Sequence, residues 1–398
     1  MPASPSTARA INDRLALRLL QQEGPLTAGQ LKQLTGLSRP SVADLVERLT
    51  ASGLIAVVGE TGEQRRGPNA KLYGIVADRA HLAALDVRTE GVAVAVSDLL
   101  GRVLAEGALP IDGATGTEPA VEQAVALVER VAKEAGAGRL HTVGIGAPGL
   151  IDPAGGELRD SNGLPQWHRR LVAALQERLP EARVSVENET NLAALAEQRD
   201  GAARDRDTFV LLWLGMGVGA ALVLDGALRR GRSGGAGEIG FLPVPGTTGL
   251  PSATDCGGGF HSLAGAAAVA ALAAEHGVTA DAAPHEPHAA ALVRTAVERA
   301  GADPSTERFL DTLADRVVLG AAAVVSVLDP GCVVLAGEVG RAGGEALADR
   351  VRARLTRMSP LPTEVRPSTL GGGAVLRGAL LTARDRAQDD LFAPAPLR

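Results

Sequence analysis

Two apolar segments joined by closely spaced glycines, within Leu211–Phe241, constrain the fold more than any other feature of this 398-residue sequence. Gly215, Gly217 and Gly219 separate the segments, and the second ends at Asp225-Gly226, a dipeptide typical of a two-residue β-hairpin. Glycine has no Cβ, so backbone N–H groups at such a turn approach an anion closely. The pattern predicts a phosphate-binding hairpin, and a simple glycine-rich turn is the alternative.

Composition limits the class of protein. The length predicts two or three domains, and with only 2% aromatic residues their cores must consist of Leu, Val and Ala. Two cysteines, Cys256 and Cys332, exclude a disulfide framework and a four-cysteine zinc site. The longest apolar run, Phe209–Leu224, is interrupted by glycines and is too short to cross a bilayer. With no signal peptide at the start of the sequence, we expect a soluble cytoplasmic protein without a membrane partner.

Charge is distributed unevenly along the chain. The whole sequence has 40 Lys and Arg against 46 Asp and Glu, whereas residues 1–80 have 10 against 7. A basic N-terminal segment on an acidic body is typical of a nucleic-acid reader joined to another domain. Ordinary surface variation is the alternative explanation of the charge alone.

The first eighty residues have the pattern of a helix-turn-helix. Apolar positions at helical spacing predict a first helix over Ala8–Gln22. Thr27 can cap a second helix, Ala28–Thr35, and Ser38 can cap a third, with Pro40 in its first turn. The short turn between the second and third helices is the spacing of the DNA-binding motif.

A β-hairpin, or wing, follows the third helix, with predicted strands Leu54–Val58 and Lys71–Val76. Its basic tip can reach phosphates or a narrow minor groove, whereas Asp44 and Glu47 on the third helix would oppose binding. We expect double-stranded DNA as a partner, and a small helical bundle without nucleic acid is the alternative. The predicted DNA-binding residues come from the caps, the third helix and the wing: Thr27, Ser38, Arg39, Pro40, Ser41, Arg48, Arg65 and Arg66.

The rest of the chain alternates strand meanders with helices. Besides the glycine hairpin, we expect strands within 81–98, 102–108, 142–145, 184–186 and 333–336, and helices over 121–135, 192–200, 262–275, 289–299, 305–328, 344–357 and 375–384. Two meanders, each followed by strand–helix units, predict two α/β lobes with a cleft between them.

The order of the motifs is specific enough for comparison with a known family. After the winged helix come GIGAPGLID (144–152), ENETN (187–191), the glycine hairpin ending in GEIG, and LDPGCVVLAGE (328–338). This set resembles the ROK family (repressor, open reading frame, kinase) over nearly the whole chain. The resemblance implies an α/β protein, with a winged helix-turn-helix over 1–80 and a two-lobed actin-like (ribonuclease-H-like) ROK domain over 81–398. Lobe 1 would comprise about 81–200 plus the C-terminal helix, and lobe 2 about 205–372.

Several positions depart from the motifs of the family's kinases. Where those kinases have an Asp-x-Gly-Gly-Thr phosphate loop, this chain has Asp86-Val87-Arg88-Thr89-Glu90, so side chains fill the space that phosphates need. Glu189 stands at the position of the catalytic Asp, and Glu338 replaces a glycine on the nucleotide side. We therefore expect no catalytic residue, no cofactor and no enzymatic activity.

The resemblance also implies a structural zinc, which many family members hold with one His and three Cys. Only Cys256 and His261 remain here as possible ligands, because Phe241 and Thr254 stand at the other two positions. Two ligands do not make a closed tetrahedral site. We expect no bound metal and interpret Cys256 and His261 as remnants.

Replacements at the same positions alter the sugar pocket that the resemblance implies. Phe241 and Leu263 replace a His and a Glu of the family pattern, whereas three polar positions match it by type. The alternative interpretation of Asn188 and Glu189 is structural: an N-terminal helix cap followed by an acidic residue in the first turn. The predicted effector-binding residues are Asn162, Asn188, Glu189 and Glu238.

The sequence thus predicts a DNA-binding transcriptional regulator, a repressor, whose kinase-like body binds a sugar or related small-molecule effector without phosphorylating it. We expect a homodimer or a dimer of dimers, because a single DNA-binding module seldom supplies enough affinity and specificity. Two alternatives stay open. One is an ATP-dependent sugar kinase with a vestigial winged helix, and the other is a ligand-independent regulator that uses its body only for dimerisation.

Overall fold

Three β-sheets organise the part of the chain that the computed structural model describes, namely residues 5–60, 70–111, 114–152, 156–158, 165–247, 249–253, 257–283 and 286–392. One sheet has three strands and the other two have five each. No helix in this part of the chain combines the length and apolar character needed to cross a membrane.

The three-stranded sheet belongs to an N-terminal winged helix. Its elements are α1 (Pro5–Glu23), β1 (Leu26–Thr27), α2 (Ala28–Thr35), α3 (Arg39–Ala51), β2 (Ile55–Glu60) and β3 (Lys71–Ile75). The central strand, β3, pairs antiparallel with both β1 and β2. Side chains at helical spacing on α3 are buried in the core of this domain: Val42, Leu45, Val46 and Leu49.

Local caps explain where α2 and α3 begin and end. Thr27 Oγ1 accepts a hydrogen bond from Gln30 N at 3.2 Å, and Thr27 N donates to Gln30 Oε1 at 2.9 Å, which completes a capping box. Gly36 ends α2 with a φ of 70°, in the left-handed region that glycine adopts without strain. Ser38 then caps α3 by accepting from Ser41 N.

Lobe 1 contains the first five-stranded sheet. Its elements are β4 (His81–Arg88), β5 (Gly91–Asp98), β6 (Val103–Pro110), α4 (Thr117–Glu134), β7 (Leu140–Ala147), α5 (Trp167–Arg178), β8 (Arg183–Asn188) and α6 (Glu189–Asp200). The strand order is β6-β5-β4-β7-β8, in which the meander β4–β6 is antiparallel and β7 and β8 continue parallel to β4.

Lobe 2 repeats this topology. Its elements are β9 (Phe209–Leu214), β10 (Val218–Leu224), β11 (Ala227–Arg229), α7 (His261–Ala264), α8 (Ala266–Glu275), α9 (His288–Glu298), α10 (Pro304–Leu328), β12 (Cys332–Ala336), α11 (Gly337–Met358) and β13 (Glu364–Pro367). The order β11-β10-β9-β12-β13 again places an antiparallel meander beside two parallel strands. Two lobes with this topology form the actin-like fold that the family resemblance implied.

The last helix, α12 (Ala374–Leu391), returns to lobe 1 and packs on β4, β7 and α6. Two glycines permit this close approach. A Cβ on Gly144 of β7 would lie 2.6 Å from Ala379 O, and one on Gly378 would lie 2.0 Å from Leu192 O. Apolar side chains of α12 also join a continuous core that reaches the winged helix.

The structure corrects several expected elements. The helix expected over 262–275 is divided at Gly265, and α11 begins at Gly337, seven residues before the predicted start, with a break at Gly344 where φ is 48°. Helix α5 and the edge strand β13 were not predicted. Strand β13 has only four residues, and Val365 alone is buried. Its sequence therefore has no alternating apolar pattern from which a strand could be predicted.

Candidate functional site

The first turn of α3 is the exposed face of the helix-turn-helix. Ser38, Arg39, Pro40 and Ser41 all lie at the surface. The Ser38 hydroxyl lies 2.8 Å from the Ser41 hydroxyl. Hydroxyl and guanidinium groups in this position are suited to hydrogen bonds with base edges and phosphates in a major groove.

Arg48 and Thr27, which were also predicted to bind DNA, are engaged within the domain. Arg48 Nη2 donates to Asp13 Oδ1 at 2.6 Å, and Arg48 also pairs with Asp44 one turn away. The hydrogen bond with Asp13 is the main cause of a raised pKa of Arg48. Because Asp44 is paired, its negative charge opposes DNA binding less than the sequence suggested. Thr27 is largely buried as the cap of α2.

The glycine hairpin joins β9 and β10, with Gly215, Met216 and Gly217 at its tip. Gly215 N donates to Gly217 O at 3.0 Å, whereas the N–H groups of Met216 and Gly217 donate to no backbone carbonyl within the described residues. Gly219 faces α6, where Thr190 Oγ1 would lie 3.6 Å from an added Cβ. The tip therefore keeps backbone N–H groups that suit an anion.

Glu338, in the first turn of α11, lies directly on this hairpin. A Cβ added to Gly215 would be 2.3 Å from Glu338 Oε2, so the carboxylate contacts the bare backbone. Gly337 has a φ of 77°, and a Cβ there would lie 2.4 Å from Leu214 O. The close approach of α11 to β9 thus brings the Glu338 carboxylate against the glycine hairpin.

Asp86 and Arg88, at the end of β4, form an ion pair on the lobe 1 side of the cleft. Arg88 Nε donates to Asp86 Oδ2 at 2.8 Å, and Arg88 Nη2 donates to Gly372 O at 2.8 Å. Burial raises the pKa of Asp86, and the charge of Arg88 partly offsets that rise. Arg88 therefore ties the end of β4 to the segment that precedes α12.

Asn188 caps α6 and uses its whole amide to do so. Its Oδ1 accepts from Thr190 N at 2.9 Å and from Asn191 N at 3.3 Å. Its Nδ2 donates to Gly149 O and to Glu189 Oε2, both at 3.0 Å. These bonds use the two donors of the amide and both lone pairs of its oxygen, so an effector contact by Asn188 would have to replace one of them.

Glu189 is a strongly perturbed carboxyl group of the cleft. Burial raises the pKa of Glu189 to about 8, and the charges of Asp86, Glu238 and Glu338 add to the increase. Desolvation also raises the pKa of Glu238. Glu189 is thus largely protonated at neutral pH, when it can both donate and accept a hydrogen bond.

An ion pair connects the lobes at one side of the cleft. Arg230, after β11, donates from Nε to Glu187 Oε2 at 2.6 Å, and Glu187 Oε1 accepts from Asn191 Nδ2 at 3.0 Å. A cavity of about 270 Å³ lies beside this pair and is lined on α12 by Arg386. The loop after β11 therefore contacts lobe 1 through a charged pair.

The two chain crossings between the lobes meet at Glu197 of α6. Its buried carboxylate accepts from Ala202 N at 2.7 Å, in the segment that leads to β9. It also accepts from Ser368 Oγ at 2.5 Å and from Leu370 N at 3.2 Å, in the segment between β13 and α12. Glu197 thus holds together the two chain segments that connect the lobes.

The far end of α12 contacts the winged helix. Asp389 pairs with Arg14 of α1. Leu17 and Leu20 of α1 belong to the same buried cluster as Phe392, which follows α12. The helix that starts at the hinge therefore ends on the winged helix.

His168 on α5 is a buried group that was not among the predicted site residues. Its Nε2 lies 3.2 Å from Arg88 O, and its Nδ1 has no hydrogen-bond partner within the described residues. Burial lowers the pKa of His168 to about 4, so the ring is neutral at pH 7. Trp167, Leu171 and Leu175 at helical spacing were the available signal for this helix.

Four predicted site residues lie outside the described residues: Arg65, Arg66, Asn162 and Cys256. His261 begins α7, where burial lowers its pKa. Phe241, which the family resemblance places at a zinc-ligand position, is 37% exposed. Within the described ranges, no three His, Cys, Asp or Glu side chains are grouped so that they could hold a metal ion.

Comparison with known proteins gives the same architecture. The ROK family model matches residues 82–386, and the MarR family model matches residues 11–67. The N-acetylglucosamine repressor of Escherichia coli O157:H7 is 28% identical over 244 residues, which cover 59% of this chain and 58% of the repressor. The chain therefore spans less than two thirds of the length of that relative.

Two solved structures with the same fold are a transcriptional regulator and a kinase. A ROK family transcriptional regulator, a homologue of the E. coli MLC protein, has a TM-score of 0.76 at 21% identity, covering 97% of this chain and 98% of its own. A ROK family glucokinase from Streptomyces griseus, in complex with glucose and AMPPNP, has a TM-score of 0.64 at 25% identity and covers 77% of this chain and all of its own. The family match over most of the sequence and the shared two-lobed fold show that this chain belongs to the ROK family.

Proposed function

We propose that this protein is a DNA-binding transcriptional repressor whose body binds a sugar or a related small molecule without phosphorylating it. The observation that carries the proposal is the exposed first turn of α3 in a winged helix that shares its core with the C-terminal helix of the body. Similarity to an N-acetylglucosamine repressor and to the MarR family model supports the same function.

The cleft favours ligand binding over phosphoryl transfer. Arg88 fills the end of β4, and the Glu338 carboxylate lies on Gly215. A nucleotide phosphate at the hairpin would approach that carboxylate, and two like charges about 4 Å apart near a protein surface repel by about 4 kcal/mol. Both side chains would have to move before a triphosphate could bind.

The carboxyl groups of the cleft suit the hydroxyl groups of a sugar. Asp86, Glu238 and Glu338 all influence the ionisation of Glu189, so the four groups lie near one another. Ionised carboxylates accept hydrogen bonds from hydroxyl groups, and a protonated Glu189 can also donate one to a hydroxyl or ring oxygen. Such a mixed set fixes the orientation of a polyol in a cleft.

The position of α12 provides a route from the cleft to DNA. Arg88 in the cleft bonds to Gly372 just before α12, and Asp389 near the other end of that helix pairs with α1. Closure of the lobes around an effector would therefore move α12 and change the placement of the winged helices in a dimer. This is a two-state allosteric mechanism in which effector and DNA favour different lobe arrangements.

The decisive experiment is binding of the purified protein to DNA from the region upstream of its own gene, repeated with a panel of sugars and sugar phosphates. We expect specific binding that one compound releases. Specific binding that no compound changes would instead support the ligand-independent scaffold. Absence of specific binding, together with ATP consumption that Glu189→Gln abolishes, would establish the sugar kinase in its place.

A further inference from the structure

We propose that Asp44 of α3 determines sequence specificity by accepting a hydrogen bond from a cytosine in the major groove, and that Arg48 and Asp13 hold its carboxylate in position. The inference rests on the proposed DNA-binding function and deepens it by naming the base that one side chain reads. An acidic residue on a DNA-facing helix costs general affinity, so a role in base selection gives it a specific purpose.

Asp44 lies on the face of α3 that points away from the core of the winged helix. It follows the exposed Pro40 by four residues, and residues at this spacing lie on the same side of a helix. The side chain of Asp44 is 57% exposed. Since the recognition helix of a helix-turn-helix presents its exposed N-terminal part to base edges, Asp44 is placed to reach them. The buried side chains of α3 face the opposite way: Val42, Leu45, Val46 and Leu49.

Two ion pairs in series fix the direction of this carboxylate. Arg48, one turn further along α3, donates from Nη1 to Asp44 Oδ2. The same guanidinium donates from Nη2 to Asp13 Oδ1 at 2.6 Å and from Nε to Asp13 Oδ2 at 3.4 Å. This two-point contact uses the rigid fork of the guanidinium. Helix α1 therefore anchors Arg48, and Arg48 in turn orients Asp44.

The second oxygen of Asp44 is available for DNA. Among the residues that the structure describes, none donates a hydrogen bond to Asp44 Oδ1. A carboxylate can only accept hydrogen bonds, and the donors on the major-groove edges are cytosine N4 and adenine N6. Adenine also presents its N7 acceptor beside N6, which repels a carboxylate. Cytosine is therefore the base that Asp44 favours.

Glu47 provides the contrast on the same face of α3. It lies three residues after Asp44, is exposed, and forms no ion pair with any other described residue. Its carboxylate is free to rotate, so its repulsion of phosphates does not depend on the base sequence. Asp44 differs from Glu47 in being held by Arg48, and this difference allows the two acids to be compared directly.

The test is selection of binding sequences from a randomised double-stranded DNA library by the full-length wild type and by Asp44→Asn. Affinities for the selected sequence and its single-base variants are then measured by fluorescence anisotropy. The wild type should prefer cytosine at one position by about 10-fold. Asp44→Asn should prefer adenine there, because an amide pairs with both N6 and N7 of adenine. Preferences at the other positions should stay the same.

Glu47→Gln is the matched control, since it removes an equal charge from the same face. It should strengthen binding to all sequences alike and leave the cytosine preference intact. Arg48→Gln should reduce the preference for cytosine at the position that Asp44→Asn changes, which loss of stability alone would not do. The same base preferences in the wild type and Asp44→Asn, or an equal change at that position in Glu47→Gln, would overturn the assignment while leaving the regulator function in place. Enrichment of no sequence by the wild type would overturn the regulator function itself, and this assignment with it.

Discussion

Gln388 on α12 donates from Nε2 to Gln21 Oε1 on α1 at 2.9 Å, and also to Leu99 O at 3.0 Å. A single amide therefore joins the winged helix, the C-terminal helix and the turn after β5. The next residue, Asp389, pairs with Arg14 of the same α1 helix. These adjacent contacts make the end of α12 the polar attachment of the winged helix to the body.

Loss of this attachment should separate the unfolding of the two parts. We expect Gln388→Ala combined with Asp389→Ala to lower the stability of the winged helix by about 1–2 kcal/mol, because a neutral hydrogen bond contributes about 1 kcal/mol and an exposed ion pair less. Scanning calorimetry should then show an earlier transition for the winged helix. Gln198→Ala, which removes an amide from a different helix of lobe 1, is the control. Identical calorimetric profiles for the two variants would contradict the role of this contact.

Arg39 should contribute to DNA affinity through phosphates or base edges. If Arg39 contacts a base, we expect Arg39→Ala to weaken specific binding by about 1–3 kcal/mol. If Arg39 contacts a phosphate, we expect the slope of log affinity against log salt concentration to decrease in magnitude by about 1. Fluorescence anisotropy at several salt concentrations distinguishes the two results. Arg299→Ala, an equal loss of charge in lobe 2, should change neither quantity. Unchanged affinity of Arg39→Ala at every salt concentration would count against α3 as the reading helix.

Glu189 should make stability depend on pH in a defined direction. Its pKa is about 8 when folded and about 4.5 ordinarily, so the folded state retains the proton over a range in which the unfolded state loses it. The contribution of Glu189 to the free energy of unfolding is therefore fully present below the pKa of the unfolded state. It is lost as the pH rises through the pKa of the folded state. We expect Glu189→Gln to flatten this decline in chemical denaturation at pH values between about 5 and 8. Exposed Glu177→Gln should leave the slope unchanged, and an unaltered slope in Glu189→Gln would refute the assignment.

Glu197 should be essential to the hinge. Glu197→Ala leaves buried donors from both chain crossings without an acceptor, and we expect a loss of about 3 kcal/mol or more. Glu197→Gln keeps the volume and one acceptor oxygen, so its loss should be smaller. Urea denaturation measures both values, with Gln198→Ala on the same helix as the control. Equal midpoints for Glu197→Ala and this control would show that the carboxylate does not hold the crossings together.

Local chemistry made the winged helix predictable at the level of single residues. Thr27, Gly36 and Ser38 set the ends of α2 and the start of α3 through bonds to residues a few positions away. No distant partner was needed to interpret these signals. The predicted bounds of α2 accordingly agree with the structure, whereas those of α11, which depend on packing against β9, were wrong at the start.

Long-range partners made the candidate site harder to predict. Arg230 is 43 positions from Glu187, and Arg48 is 35 positions from Asp13, so no sequence spacing indicated either pair. The motif positions identified Arg88 and Glu338 as departures from the kinases, but only the structure shows where their side chains lie. The residue types at these two positions indicated that the kinase motifs had changed. The packing shows which backbone and side-chain groups Arg88 and Glu338 contact as a result.

The continuous core between α1 and α12 limits how this protein can be rearranged. Leu20 and Phe392 lie at opposite ends of the chain and belong to one buried cluster. A chimera that received only residues 5–75 of this protein would expose the α1 side of that cluster, and a body deprived of them would expose the α12 side. A new DNA specificity is therefore better introduced by replacing the solvent-facing turn of α3 than by exchanging the whole domain.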